Sequence, residues 1–152
     1  MEKKLGIKFL QASLMYFAIS VAMGTIMTIS PVYKFIVLSV LFERAHAHIS
    51  LIGWVSLAII GFTYYAILGN LGKPMYSERL GNTGFWLLNI GIFIEFISLL
   101  TGGFNQAYLF VAEDPAAHTS TIPYTMFILI FAFVMLIGIY ATIYNIYRTL
   151  KS

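Results

Sequence analysis

Four long apolar runs divide the chain, each bounded by residues that break or cap a helix. Residues 9–30 are apolar almost throughout and stop at Pro31. About 20 such residues carry a helix across a bilayer, so 9–30 is read as a first span, TM1. Three lysines precede it, as in a signal peptide. The run is longer than a signal core of about 7–15 residues and has no convincing small-x-small site, so the helix is expected to be retained. Residues 31–42 are apolar but too short to cross, and predict a helix lying in the interface. TM2 is expected over 44–68, ending at Gly69-Asn70, and TM3 over 85–101, ending at Thr101-Gly102-Gly103. TM4 is expected over 122–147, with Thr121 as N-cap and Pro123 in the first turn. The pattern predicts one membrane domain over 1–152, an all-α integral membrane four-helix bundle.

Composition agrees. The chain has 152 residues, of which 60% are hydrophobic and 10% charged, and its mean hydropathy is +0.87. A water-soluble domain carries about 25% charged residues. Four spans put both termini on one side. Lys3, Lys4, Lys8, Lys73, Arg79, Arg148 and Lys151 fall on that side, and only Lys34 and Arg44 fall opposite. The positive-inside rule then predicts N-in, C-in topology in a cell membrane of prokaryotic type. The basic residues are placed by topology, and no nucleic-acid partner is expected. The absence of cysteine excludes thiolate metal sites and iron–sulfur clusters. Iron or copper held by histidine stays open.

The chemistry-bearing stretch is Glu43-Arg44-Ala45-His46-Ala47-His48-Ile49-Ser50-Leu51-Ile52-Gly53-Trp54. Residues two apart on a helix differ by about 200° around its axis, so His46 and His48 offer one imidazole to each of two neighbourhoods. The plain reading is a pair of interfacial histidines bonded to headgroups or water. The functional reading is a haem seat. Ser50 and Gly53 share the face of His46, Gly53 leaves room for a flat ring, and Arg44 at the mouth can pair with a propionate.

The segment Ala45-His46-Ala47-His48 followed by Leu51-Ile52-Gly53-Trp54 resembles subunit I of the haem–copper oxidase superfamily, closest to the cbb3-type and nitric-oxide-reductase branches. The resemblance implies a histidine pair in which one ring ligates the high-spin and the other the low-spin haem. It also implies a fold of twelve helices in three arcs of four, of which this chain matches one arc. The histidine cluster that holds copper has no counterpart motif here, so haem b is the expected cofactor, and copper is not. Three copies would supply twelve helices. The expected assembly is a homotrimer with a haem at each subunit boundary, ligated by His46 of one copy and His48 of the next. The expected role is electron transfer or redox chemistry near the outer face, with a quinol or another redox protein as partner. Whether the chain is itself an oxidoreductase of the oxidase or nitric-oxide-reductase type stays open.

His118, in the outer loop after Asp114-Pro115, reads either as a solvated histidine or as a propionate partner. Glu95 is the lone carboxylate well inside a span. Such residues usually face the protein interior and carry function, which makes Glu95 a candidate proton relay. The plain alternative is a hydrogen bond to a neighbour such as Asn89. Rival readings of the whole are a haem-free proton or small-solute channel with Glu95 in its pore and His46 as gate, a sensor or reductase of nitric oxide or oxygen, and an accessory subunit of a larger oxidase.

Overall fold

Serine and glycine set three of the helix boundaries in the computed structural model, which describes residues 2–72 and 74–151. Lys73, counted above among the basic residues, lies outside the described residues. Helix α1 spans Glu2–Met27 and the short α2 spans Ser30–Ile36, with Pro31 in its first turn. Ser39 then caps α3, Val40–Leu71, by accepting from the backbone N–H of Leu41 at 3.3 Å. Gly72, at φ +65°, ends it. Ser77 caps α4, Glu78–Val111, through the N–H of Leu80 at 3.1 Å. A 3-10 turn, Pro115–His118, leads to α5, Ile122–Lys151. Among the described residues, four helical segments are long and apolar enough to cross a membrane.

The expected span 85–101 is much shorter than α4. Gly102 and Gly103 do not end the helix, because they sit where neighbours approach closely. A Cβ on Gly102 would fall 2.9 Å from Tyr124 Cγ, and one on Gly103 3.3 Å from Phe42. The interfacial helix expected over 31–42 is confined to α2, because the Ser39 cap assigns Val40 to Phe42 to α3. Of the residues expected in the other spans, 9–27 lie in α1, 44–68 in α3 and 122–147 in α5. In α1 the helix begins earlier: the Lys8 ammonium donates to Asn82 Oδ1 at 3.0 Å, and the apolar stems of such lysines extend the span toward the interface.

Glycines bring the helices together in two pairs. A Cβ on Gly6 of α1 would meet the Gly61 carbonyl of α3 at 2.8 Å. A Cβ on Gly91 of α4 would lie 2.9 Å from Met135 N of α5, and one on Gly138 of α5 2.8 Å from Leu88 N of α4. Such close approach is the usual route to helix association in lipid, where hydrophobic driving force between helices is absent. One core joins the pairs: Phe9 stacks on Tyr64 and meets Phe85 edge-on, with centroids at 5.8 and 5.0 Å. Both termini and the loop before α4 share one end of the bundle, where Lys3 lies over the Tyr65 ring and Ser77 contacts Asn145.

Candidate functional site

His46 and His48 close the α-helical start of α3. From Ile49 to Ser56 the helix widens into π geometry, and again from Thr63 to Leu68. Such stretches are rare and frequent at functional sites. Serines of α1 line the first one. Ser13 Oγ donates to the Trp54 carbonyl at 3.0 Å, and Ser20 Oγ meets Ser50 Oγ at 2.6 Å.

The two imidazoles part as their spacing dictates. His46 turns to α1, with Nε2 3.2 Å from the Ser20 carbonyl oxygen. A carbonyl only accepts, so Nε2 carries the proton. Ser50 Oγ donates to the His46 carbonyl at 2.6 Å, which leaves Ser20 Oγ as donor to Ser50. The bonds close a ring between α1 and α3. Gly24 admits it, since a Cβ there would lie 3.2 Å from His46 Nε2.

His48 turns to α4, with Nδ1 3.1 Å from Glu95 Oε1. The contact does not meet hydrogen-bond geometry, and Glu95 Oε2 has no hydrogen-bond partner among the described residues. Glu95 is 2% exposed, whereas the His48 side chain is 40% exposed. Its Nδ1 is buried, so the exposed part of the ring is the opposite edge, which bears Nε2. The two histidines therefore hold opposite nitrogens toward the protein.

The other expected site residues are placed as follows. Arg44 is exposed one turn outward of His48. Gly53 is buried against α1, where a Cβ would meet Tyr16 Cγ at 2.9 Å. The room left by this glycine is taken by Tyr16, whose hydroxyl donates to the Asn89 carbonyl at 3.3 Å. Trp54 packs on Phe17, with centroids at 4.2 Å. His118 is exposed and edge-on to Phe110 at 5.4 Å. Asn89 is not the partner of Glu95: its amide donates to the Phe85 carbonyl of its own helix at 2.8 Å. Sequence reasoning missed Ser20, Gly24 and the His48–Glu95 contact. The small and hydroxyl residues recurring along α1 were the available signal for the first two.

A haem iron takes its equatorial nitrogens from the porphyrin and needs only one or two protein ligands. Among the described residues no three metal-binding side chains cluster, which is compatible with that requirement. A ligating imidazole usually directs its other nitrogen to a carboxylate or carbonyl. His48 fits by this test, with Glu95 at Nδ1 and Nε2 outward. His46 has Nε2 engaged by Ser20.

The family model for cytochrome c and quinol oxidase polypeptide I matches residues 4–134. The cbb3-type cytochrome c oxidase subunit CcoN1 of Stutzerimonas stutzeri is 27% identical over 160 aligned positions, covering 96% of this chain and 33% of that protein. The chain thus spans about a third of the length of that relative. With four apolar helices and this match, it is a multi-pass membrane protein, and it belongs to the family of cytochrome c and quinol oxidase polypeptide I, the subunit I of haem–copper oxidases.

Proposed function

We propose that the chain is a membrane b-type haem protein that carries electrons near the outer face, in which His48 would hold the haem. The observation that supports this reading is the contact between His48 Nδ1 and Glu95 Oε1 at 3.1 Å. A carboxylate there orients the ring and raises the basicity of the other nitrogen. Haem, when bound, supplies one-electron redox chemistry. The chain's own residues bind and orient: Glu95 holds the His48 ring from the buried side, and Arg44 offers its guanidinium to a propionate by a charge-assisted bond.

The His48 side chain is 40% exposed on the outside of the bundle, and within a bilayer an unpartnered polar group is costly. Something other than lipid covers it. The reading is a homotrimer, in which three four-helix units supply the twelve helices that the family resemblance implies. A head-to-tail contact that closes at three is a legitimate symmetry. The second ligand is then His46 of the neighbouring copy, which gives up its bond to Ser20. Electrons come from a quinol or another redox protein.

A second reading is favoured by the ring of bonds around His46. If His46 stays on the Ser20 carbonyl as a tie between α1 and α3, His48 alone would hold a haem, which would then be able to take a gas.

The reduced absorption spectrum of the detergent-purified protein tests both. A low-spin b-haem spectrum that His48→Ala and His46→Ala each abolish supports the shared site. Loss in His48→Ala alone, with a carbon monoxide shift in the native protein, supports the second reading. Absence of haem after reconstitution, or its retention in His48→Ala, overturns both.

A further inference from the structure

The end of the bundle that carries both termini holds a cationic cleft unrelated to the histidines. Two adjoining cavities of about 550 and 460 Å³ share Tyr76 and Tyr144 as their common wall. Arg79 lines the first, and Arg148 and Lys151 line the second. No carboxylate lines either cavity among the described residues.

Arg148 is held in place. Its guanidinium sits 4.6 Å from the Tyr76 ring centroid and 5.7 Å from that of Tyr144, and donates to Tyr144 Oη at 2.9 Å. A guanidinium has five N–H donors, so most remain for a ligand. Lys151 lies over the Tyr147 ring at 4.9 Å. The wall is also fixed from behind. The Tyr76 N–H donates to Thr149 Oγ1 and the Ser77 N–H to Asn145 Oδ1, both at 3.0 Å. Asn145 in turn donates to Tyr64 Oη at 3.0 Å. Asn145 and Thr149 are fully buried, and their polar groups serve to lock the loop before α4 onto α5. A cleft preorganised in this way loses little freedom when a ligand binds.

We propose that this cleft binds the phosphate headgroup of an anionic phospholipid. Two cations held over aromatic rings and a third, Arg79, lining the cleft match a phosphate in charge, and basic pockets between transmembrane helices are suited to such headgroups. The position selects a lipid over a free anion. The cleft opens beside the apolar outer face of α5, where Ile137, Tyr140 and Ile143 are exposed and offer a surface for acyl chains.

The test is lipid-dependent thermal stabilisation of the purified protein in detergent, with phosphatidylglycerol, phosphatidylcholine and inorganic phosphate as probes. Phosphatidylglycerol is expected to raise the midpoint at lower concentration than phosphatidylcholine, with the preference collapsing in high salt. Each of Arg79→Gln, Arg148→Gln and Lys151→Gln is expected to weaken phosphatidylglycerol roughly fivefold and leave phosphatidylcholine unchanged, which also reports folding. Equal action of the two lipids, a preference insensitive to salt, or a preference kept in the variants overturns the proposal. An equal effect of inorganic phosphate overturns the lipid assignment and leaves a plain anion site. The readout needs no haem, so it stands or falls apart from the redox reading.

Discussion

Replacing either member of the His48–Glu95 contact should destabilise the haem-free protein by very different amounts. If the pair is charged, with His48 protonated and Glu95 ionised, removing one partner costs about 3–5 kcal/mol, because the other is left uncompensated. His48→Leu strands Glu95, which is 2% exposed and already has an unpartnered Oε2. The ring it loses is 40% exposed, and this solvent and lipid access lowers the figure toward the bottom of the range, about 3 kcal/mol. Glu95→Leu leaves Nδ1 of a ring whose other edge reaches the surface, a loss of about 1 kcal/mol, and it also removes the orphan oxygen. The double variant strands nothing. It should lie close to the native protein, where additivity predicts a loss of about 4 kcal/mol. The assay is reversible unfolding in mixed micelles by titration with a denaturing detergent, followed by helical circular dichroism, as a double-mutant cycle. Equal losses in the two single variants, or additivity within about 0.5 kcal/mol, would refute the reasoning.

Three further outcomes follow from packing and hydrogen bonding. Gly91→Ala places a Cβ 2.8–3.0 Å from the Cβ, N and Cα of Met135; backbone atoms cannot turn aside, so the α4–α5 seam must open, at about 1–3 kcal/mol in the same unfolding assay. Asn145→Ala leaves the Tyr64 hydroxyl and the Ser77 N–H without their partners; about 2–4 kcal/mol is expected, with faster proteolysis of the loop at Tyr76. Gly24→Val crowds His46 Nε2 and should free it from the Ser20 carbonyl, visible as a changed tautomer signature in the imidazole nitrogen resonances while those of His48 stay unchanged.

Parts of the site were legible in the chain. The spacing of His46 and His48 sends their rings to different neighbours, and both lie in the α-helical start of α3 before the π stretch, so the 3.6-residue period holds there. Gly53 keeps the face of His46, since both meet α1, but the chain alone could not show that Tyr16 of α1 fills the space beside it. Glu95 could be singled out as a buried carboxylate from the sequence, but its partner could not. Asn89 was the local candidate, and asparagine on a helix bonds readily to the carbonyl four residues back, as it does here. His48 lies 47 positions away in sequence, and only the approach of α3 to α4 brings it near.

The sequence by itself determined that four helices cross the membrane and that the chain resembles haem–copper oxidase subunit I. Run length, helix caps and a dozen residues around the histidines are local properties, and the bilayer enforces helices wherever a run is long enough. The tertiary structure decided which nitrogen each histidine exposes. His46 gives Nε2 to Ser20, while His48 gives Nδ1 to Glu95 and keeps Nε2 outward. That choice depends on which helix lies opposite, and it is set by glycine contacts between α1 and α3 and by the shared core that brings α4 against α3. Such long-range packing leaves no periodic trace in a single chain.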